Sequence, residues 1–460
     1  MQLSFGKVRG LPEKESAQLA ELVDVFNNHN LSNQTKEKYY DGAVQLHEVN
    51  LGLALPKNIN RLSVGCDWGA KAVDVLASRS MFDGFVSQSG GTLEALDKII
   101  DDNNLVAQYM AATKDELKFG CTFATLSADK ETGCRIRFHS PQGAAALWSG
   151  EKGRIDCGFA IIDTVKDESI EGKWMPSVVN FYNDDAVWVL RNSGNVWSAE
   201  YIPHRMGRTL MEPLVYNRTM SKPFGRSRLK APVRSLIDQY IRTMANAAIA
   251  LEFATSPQKY LLGVSDDQFD MIVNDKFKQY IGSILAATTN PETNEKPSFG
   301  QLPQGTLNPH VEEIRMVATQ FSAATGLSVT DTGVVNDANP TSSDAILAQT
   351  QTLVLMAEQL NKSNGDALRT IAQMAMAISS KKTLEDLTDE ERAVIAHFKN
   401  PAMPSVSVTA DAAIKIASSR PEFASTDTFL EMVGFDQADI RRIKAQEVRA
   451  RGMQVLTEIE

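Results

Sequence analysis

The chain has 460 residues, of which 43% are hydrophobic and 23% are charged, and its formal net charge at pH 7 is −10. A length of this order holds about three domains, and the composition is that of a soluble globular protein. An acidic chain is a poor candidate for a protein that holds nucleic acid by neutralising phosphates over its whole surface.

No run of about 18 apolar residues is present, and the N-terminal stretch MQLSFGKVRGLPEKES lacks the apolar segment of a signal peptide. We therefore expect a soluble protein that is made in a cytoplasm and does not contact a membrane. The four cysteines have no C-x-x-C spacing, which predicts reduced, mostly buried thiols rather than disulfides or a zinc site. They are Cys66, Cys121, Cys134 and Cys157.

The N-terminal half begins with helical patterns and continues with short strands. We predict helices at 13–30, 33–48 and 66–79, and a longer helical segment at 92–118. The stretch that follows is rich in β-branched and aromatic residues separated by Gly, Asp and Asn turns, which indicates strands. Its strand-like segments are FGCTFATLSAD, CRIRFHSP, CGFAIIDTV, SVVNFYNDDAVWVLRN and VWSAEYIPH. The first ~220 residues are expected to form an α+β domain, with helices first and an antiparallel meander after them.

Long helices dominate the second half. Apolar residues at the helical period predict a helix from Pro232 to about Thr255, and Pro232 suits a first turn because its missing N–H would have no partner there. Five of its side chains are expected to pack against a second helix at 310–326, namely Val233, Ile237, Tyr240, Ile241 and Met244. Between the two helices we predict a strand at YLLGV, a helix at about 266–287 and an exposed loop with a short strand.

The longest predicted helix spans 343–379, and at 1.5 Å per residue it is about 55 Å long. Its apolar face contains many alanines and no heptads with charged flanks, so packing against copies of itself in a ring is preferred over a coiled coil. The last 80 residues are predicted to be mostly helical, including TLEDLTDEERAVIAHF, with one strand at SVSVT (405–409).

Positive charge is concentrated between residues 201 and 242. This segment carries nine basic residues and the two acids Glu212 and Asp238, a local net charge of +7, so the rest of the chain sums to −17. A solvated face is the simplest interpretation of such a run. A basic belt on an otherwise acidic chain also suits an anionic partner.

Catalytic and cofactor motifs are missing from the sequence. The chain lacks G-x-x-x-x-G-K-[ST], H-E-x-x-H and G-x-S-x-G, and its six histidines have no metal-ligand spacing. The pair Asp184–Asp185 falls beside a predicted turn, and adjacent strand side chains point to opposite faces, which fits a two-metal site poorly. We therefore predict no catalytic residue, no metal site and no cofactor.

Several short motifs follow one another along the chain. They are NLGLALP (50–56), VDVLASR (73–79), FGRSRL (224–229) with VRSLIDQYIRTMAN (233–246), SPQKYLLGV (256–264), NPTSSDAI (339–346) and ADAAIKIA (410–417). Together with the order of the predicted elements, they resemble the portal proteins of tailed bacteriophages, in the siphophage-type branch. The resemblance covers nearly the whole chain.

The resemblance implies an α+β, predominantly helical portal fold with wing, stem, clip and crown, assembled as a ring of about twelve copies. Such a non-enzymatic ring would form the channel for double-stranded DNA at one vertex of the phage head, in the virion, after assembly in the host bacterial cytoplasm. It implies as partners the large terminase subunit, which would supply the energy for packaging, the head-to-tail adaptor, and the major capsid and scaffolding proteins.

The same resemblance divides the chain into seven parts. They are a wing (1–225), a basic segment with the first stem helix (226–257), a clip (258–309), a second stem helix (310–326), a tunnel loop (327–342), a long helix crossing the wing (343–380) and a helical crown (381–460).

Three groups of residues are expected to act in this scheme. In the tunnel loop, which has no Lys or Arg and so suits DNA that must slide, they are Thr330, Asp331, Asn336, Asp337 and Asn339. The basic collar consists of Arg226, Arg228, Lys230 and Arg234. The clip residues expected to dock the terminase and the adaptor are Lys276, Lys278, Glu292, Glu295 and Lys296.

Alternatives stay open at two points. The collar faces either a neighbouring subunit, which we favour because arginine forks suit carboxylates, or DNA. For the whole chain, the alternatives are a metal-dependent nuclease using Asp163, Asp184 or Asp185, and a head scaffold or adaptor without a channel.

Overall fold

The computed structural model describes residues 2–44, 64–87, 94–166, 174–194, 196–255, 259–263, 289, 296–301, 306–334, 343–402, 406–435, 439–440 and 442–450. The α-helices there are α1 (Glu13–Tyr40), α2 (Trp68–Ala77), α3 (Glu94–Asp102), α4 (Leu105–Phe119), α5 (Ala231–Thr255), α6 (Asn308–Thr325), α7 (Ser343–Ser379), α8 (Asp389–Arg392), α9 (Val406–Ser419) and α10 (Asp427–Val433).

The strands in the described residues form four antiparallel sheets. They are β1 (Phe82–Ser87), β2 (Cys121–Asp129), β3 (Gly133–His139), β4 (Ala144–Ser149), β5 (Arg154–Lys166), β6 (Trp174–Tyr182), β7 (Ala186–Ser193), β8 (Val196–Pro203), β9 (Met211–Val215), β10 (Lys259–Leu262), β11 (Ser298–Gln301) and β12 (Val394–Phe398). The strand orders are β4-β5-β6-β7-β8, β3-β2-β9, β1-β12 and β10-β11. The five-stranded sheet confirms the predicted meander.

One face of the meander packs against α1 and the N-terminal segment. Phe5 meets Trp197 edge to face with ring centroids 4.9 Å apart, and Phe26 lies 5.7 Å from Phe159. All four rings are buried, and aromatic pairs in this geometry stabilise a core beyond the area that they bury. The N-terminal segment and α1 therefore form a layer on one face of the five-stranded sheet.

A single helix of 28 residues, α1, replaces the two helices predicted at 13–30 and 33–48. Leu19, Leu22, Phe26 and Asn33 are its buried residues. Their spacing of three, four and seven residues keeps them on one face, so packing continues through the polar SNQT stretch. Residues 45–48 lie outside the described residues.

The predicted helical segment at 92–118 is two helices rather than one. Asn104, between α3 and α4, adopts a left-handed conformation with φ 47°, which reverses the chain locally. The Asn103 Nδ2 group donates to Ile99 O and to Cys134 O, both at 2.9 Å, so the break is tied to β3. The sequence prediction missed four strands, β1, β4, β9 and β12.

Two predictions for the C-terminal part are wrong. The segment TLEDLTDEERAVIAHF is a 3-10 turn (Leu384–Asp386), the one-turn helix α8 and β12, whose Val394 and Ala396 are buried while Ile395 is exposed. This alternation is the strand period, and pairing with β1 satisfies the backbone. The stretch SVSVT is not a strand, because from Val406 it belongs to α9 and runs into alanine-rich sequence of high helix propensity.

The long helix α7 covers Ser343–Ser379, as predicted, and passes through two hydrophobic cores. In its first half, Leu353, Ala357 and Leu360 pack in a core with α2, α5 and α6. Its second half contributes residues from Ala367 to Ile378 to the core of α3, α4 and the three-stranded sheet. A helix shared by both cores joins them mechanically.

Helices α5 and α6 form an intramolecular pair, as predicted. Val233, Ile237 and Ile241 on α5 are buried in the core that contains Val317 and Phe321 of α6. Tyr240 and Met244, also predicted to pack there, are half-buried. Burial decreases toward the C-terminal end of α5.

Candidate functional site

The motif FGRSRL (224–229) closes the C-terminal end of α4. A helix leaves its last four carbonyl oxygens without intrahelical partners. Here all four receive a donor, and two of the donors come from the motif. The pairs are Glu116 O with Gly120 N, Leu117 O with Arg228 N, Lys118 O with Ser227 Oγ, and Phe119 O with Lys36 Nζ. The motif thus anchors the start of α5 to the end of α4.

Gly225 allows this close approach. Its φ is +68°, and a Cβ there would lie 2.1 Å from Tyr216 O and 2.8 Å from Gly120 O. Both obstacles are backbone atoms, which cannot rotate away. The motif therefore requires glycine at this position.

We expect Gly225→Ala to lower the free energy of unfolding by about 3 kcal/mol, because left-handed strain and a backbone clash add up. Gly6→Ala is the matched control: Gly6 has φ +56° and nothing within 4 Å of an added Cβ, so only strain of about 1 kcal/mol remains. Thermal unfolding of both variants measures the difference. Equal melting temperatures would contradict the capping role of the motif.

The Arg228 side chain is buried in its own chain, with 6% of its surface exposed. Its Nε donates to Ala72 O in α2, and its Nη2 donates to Thr325 O at the end of α6. Its Nη1 donates to Tyr216 Oη at 3.1 Å and contacts Met356 Sδ of α7 at 3.6 Å. Of the four collar residues, Arg228 thus lies inside its own chain, where its planar fork of donors ties three helices together.

The other collar residues lie nearer the surface. Arg226 and Lys230 are exposed, and the half-buried Arg234 has its guanidinium 5.7 Å from the ring centroid of Tyr39. Beside Arg226 and Lys230 opens a groove of about 510 Å³. Its described lining contains further cations and an aromatic floor but no acid, and includes Lys36, Lys222, Phe119, Phe123 and Phe224.

The start of the predicted tunnel loop is held against the first residue of α2. Asp331 Oδ2 accepts from Ser328 N at 3.0 Å and Ser328 Oγ accepts from Asp331 N at 3.2 Å, a capping box for the 3-10 helix Val329–Thr332. Trp68 Nε1 donates to Thr332 O at 3.0 Å. Thr330 is exposed. The Asp331 carboxylate thus orders its own turn.

Most remaining predicted site residues lie outside the described residues. These are Asn336, Asp337 and Asn339 of the tunnel loop and Lys276, Lys278, Glu292 and Glu295 of the clip. Lys296 is described and exposed, two residues before β11. The predicted helix at 266–287 also falls outside.

The acids considered for a nuclease have other contacts. Asp184 accepts from Lys152 Nζ at 2.8 Å, from Arg154 Nη2 at 3.3 Å and from Thr209 Oγ1 at 3.0 Å. Partial burial raises the pKa of Asp184, but the Lys152 and Thr209 bonds and the nearby cations outweigh it and lower that pKa. Asp163 accepts from the Thr164 backbone N–H. No group of three or more His, Cys, Asp or Glu side chains suited to a metal occurs in the described part of the chain.

The four cysteines are free, and all of them are buried, which confirms the predicted burial. Burial raises the pKa of each thiol, to about 11 for Cys66 and about 12 for the other three. A raised pKa makes the reactive thiolate scarce at neutral pH. None of the helices in the described ranges is long and apolar enough to cross a membrane.

A buried polar cluster between α4 and α7 was not foreseen. Asn364 Nδ2 donates to Glu116 Oε2 at 2.8 Å and to Tyr109 Oη at 3.0 Å, and Tyr109 Oη is 2.8 Å from Ser80 Oγ. All four side chains are fully or almost fully buried. Burial raises the pKa of Glu116 to about 8 despite the Asn364 bond. The available signal was Glu116 itself, an acid seven residues after Tyr109 on the buried stripe of α4.

The chain was compared with curated proteins, solved structures and family models. No curated protein matches it. Among solved structures, a chain from the virion of the native gene transfer agent (GTA) particle is 10% identical, with a TM-score of 0.46 over 80% of this chain and 89% of that chain. A chain from the neck of the empty GTA particle, computed with C6 symmetry, is 12% identical and has a TM-score of 0.47. The match covers 82% of this chain and 90% of that chain.

A chain from the neck of the native GTA particle, computed with C12 symmetry, is 10% identical and has a TM-score of 0.45. The match covers 80% of this chain and 89% of that chain. The family model described as phage portal protein, SPP1 Gp6-like, matches residues 25–452. Because that match spans most of the sequence, the chain belongs to the SPP1 Gp6-like family of phage portal proteins.

Proposed function

We propose that this portal protein assembles into a ring of about twelve copies around a channel for double-stranded DNA, at one vertex of a phage head. The observation that carries the ring is apolar surface on the three helices that share one core. Leu251 of α5 is 50% exposed, Met316 of α6 54% and Leu355 of α7 51%. Apolar side chains exposed on neighbouring helices suit burial against another protein surface, here an adjacent copy.

The clip supports the same proposal. Its described strands β10 and β11 form a two-stranded sheet, and Tyr260, Leu262 and Phe299 on it are exposed. A two-stranded sheet alone is marginally stable in water, so neighbouring copies would complete it. We assign to segment 258–309, including the exposed Lys296, the docking of the large terminase and later of the head-to-tail adaptor.

The exposed collar fits a protein surface better than DNA. Its groove joins Arg226 and Lys230 to an aromatic floor, and the chain outside residues 201–242 has a net charge of −17. An acidic protein segment can bury apolar side chains on such a floor, whereas the phosphates of a rigid duplex stay outside it. Arginine also pairs well with interface carboxylates.

A channel must let DNA move. The tunnel loop, 327–342, contains no Lys or Arg, and its Asp331 carboxylate already accepts hydrogen bonds from Ser328. Each additional phosphate contact would add affinity through counterion release and slow the duplex. We propose that this loop lies near the DNA without gripping it, and that a separate ATPase, the terminase, supplies the energy.

Electron microscopy of the purified chain tests the ring. We expect rings with a central hole, and a melting temperature that rises with protein concentration as rings form, because assembly binds only the folded state. Analytical ultracentrifugation of the same samples gives the ring fraction. A monomer at all concentrations, with an unchanging melting temperature, would contradict the proposal.

Replacing Arg226 with Glu is the second arm of this test, because it separates the two orientations of the collar. The residue is exposed, so the subunit should fold normally, while contact with acids of the next copy would become repulsive. We expect fewer rings. Normal rings with reduced DNA packaging would instead assign the collar to DNA.

A further inference from the structure

The buried guanidinium of Arg228 has no acidic partner in the described part of the chain. Its side-chain contacts are Ala72 O, Thr325 O, Tyr216 Oη and Met356 Sδ, all of them neutral. Removing a cation from water without an opposite charge is costly, and hydrogen bonds to neutral groups offset only part of that cost. Among the described residues, this buried positive charge is therefore without an anion.

A cavity of about 390 Å³ adjoins this charge. It lies between the end of β9, the basic collar, the C-terminal end of α6 and the middle of α7. Arg218 and Lys230 also line it, so three cations surround it, and no Asp or Glu of the described chain does.

Neighbouring acids do not neutralise this cavity. Glu212 interacts electrostatically with Arg218, but its carboxylate is paired with Arg208. The Arg218 guanidinium stacks on Trp148, 4.2 Å from the ring centroid, which fixes it without neutralising it. Asn217, Ser227 and Gln359 add side chains able to donate hydrogen bonds.

We propose that this cavity receives an acidic side chain from a second copy of the chain. The inference rests on the proposed ring, and it names a contact that holds adjacent copies together. A volume of about 390 Å³ is at the small end of ligand pockets and admits a flexible side chain. A DNA duplex is too wide and rigid to enter the cavity. Another copy of the chain, whose residues outside 201–242 have a net charge of −17, presents many carboxylates.

Carbodiimide coupling identifies the occupant directly, because it forms an amide bond between an amine and a carboxylate without a spacer, so the two groups must approach to bonding distance. Rings would be assembled from equal amounts of ¹⁴N- and ¹⁵N-labelled chains, coupled, digested and analysed by mass spectrometry. We expect Lys230 joined to an Asp or Glu of another copy, seen as peptides of mixed isotope composition. Rings in which Lys230 is unlinked, or linked only within its own chain, would overturn the inference while leaving the proposed ring intact.

A double variant measures the contribution of the cavity. Arg218→Ala with Lys230→Ala should lower the apparent assembly constant at least about tenfold, since a carboxylate in a desolvated contact loses its partners. Lys7→Ala with Lys14→Ala removes the same charge from exposed positions and should assemble normally. Unchanged assembly of the cavity variant, or normal rings that retain less DNA, would overturn the proposal. If the wild-type chain forms no rings, the proposed function fails, and this inference with it.

Discussion

Truncating Arg228 to alanine is expected to lower the free energy of unfolding of the subunit by about 3 kcal/mol. The change removes the donors to Ala72 O, Thr325 O and Tyr216 Oη, in the interior where α2, α6 and α7 meet. A buried acceptor without a donor loses its hydration and gains nothing in return. The deleted side chain also leaves a space in the core that the surrounding helices cannot fill completely.

Arg226→Ala is the matched control, since it removes an exposed arginine two residues away. We expect it to change the stability of the monomer by less than about 0.5 kcal/mol. Arg228→Lys keeps the charge but loses the planar fork, and should retain only a small part of the lost stability.

Thermal unfolding of the monomeric fractions compares the three variants. Similar melting temperatures for Arg228→Ala and Arg226→Ala would refute the internal role of Arg228. A nearly normal Arg228→Lys would show that charge, rather than the fork geometry, matters.

Helical periodicity predicted the long elements well because each buries a continuous apolar face. Helix α5 and the 37-residue α7 have the predicted extents, and the α5 side chains Val233 and Ile237 lie in the predicted core. The meander was predicted for a similar reason, since its turns interrupt β-branched runs. Regular patterns of this kind report burial of one face directly.

Short segments whose conformation depends on distant partners could not be predicted. Strand β12 needs β1, which lies more than 300 residues earlier, and the sequence around it favours a helix. The basic collar was hard to predict for the same reason, because the position of each arginine depends on distant parts of the chain. Arg226 and Arg228 are equivalent in a charge count, yet only the contacts of Arg228 with α2, α6 and α7 make it internal.

The largest pH effect is expected at Glu116, where burial raises the pKa to about 8 from the ordinary 4.5. Its carboxyl is therefore mostly protonated in the folded subunit at neutral pH. A protonated carboxyl adds an O–H donor to a cluster in which Asn364 Oδ1 has no donor among the described residues. A charged carboxylate at the same place would be buried without a cation from the described residues beside it.

The sign of the pH dependence follows from proton uptake on folding. Below pH 4.5 the carboxyl is protonated in both states, so its full contribution to stability is present. As the pH rises toward about 8, the folded state must keep a proton that the unfolded state releases, which costs about 1.4 kcal/mol per pH unit. Above the pKa that Glu116 has in the folded state, its whole contribution to the free energy of unfolding, roughly 5 kcal/mol, is lost.

Glu116→Gln removes this titration while keeping the shape of the protonated acid. We expect the variant to match the wild type near pH 4.5 and to be increasingly more stable than it up to about pH 8. Glu21→Gln, on the exposed face of α1, is the control and should keep the wild-type slope. Melting temperatures of the three proteins from pH 5 to pH 9 measure the slopes, about 1.4 kcal/mol per unit for the Glu116 contribution.

Infrared spectroscopy gives a second readout that stability alone cannot supply. At pH 6 the difference spectrum, wild type minus Glu116→Gln, should contain the carbonyl stretch of a protonated carboxylic acid, and this band should be lost with a midpoint near pH 8. Neither a general loss of folding nor a change at the surface would produce that band and its titration. A difference spectrum without the band, together with parallel melting curves, would show that Glu116 is ionised in the interior, and that another group compensates its charge.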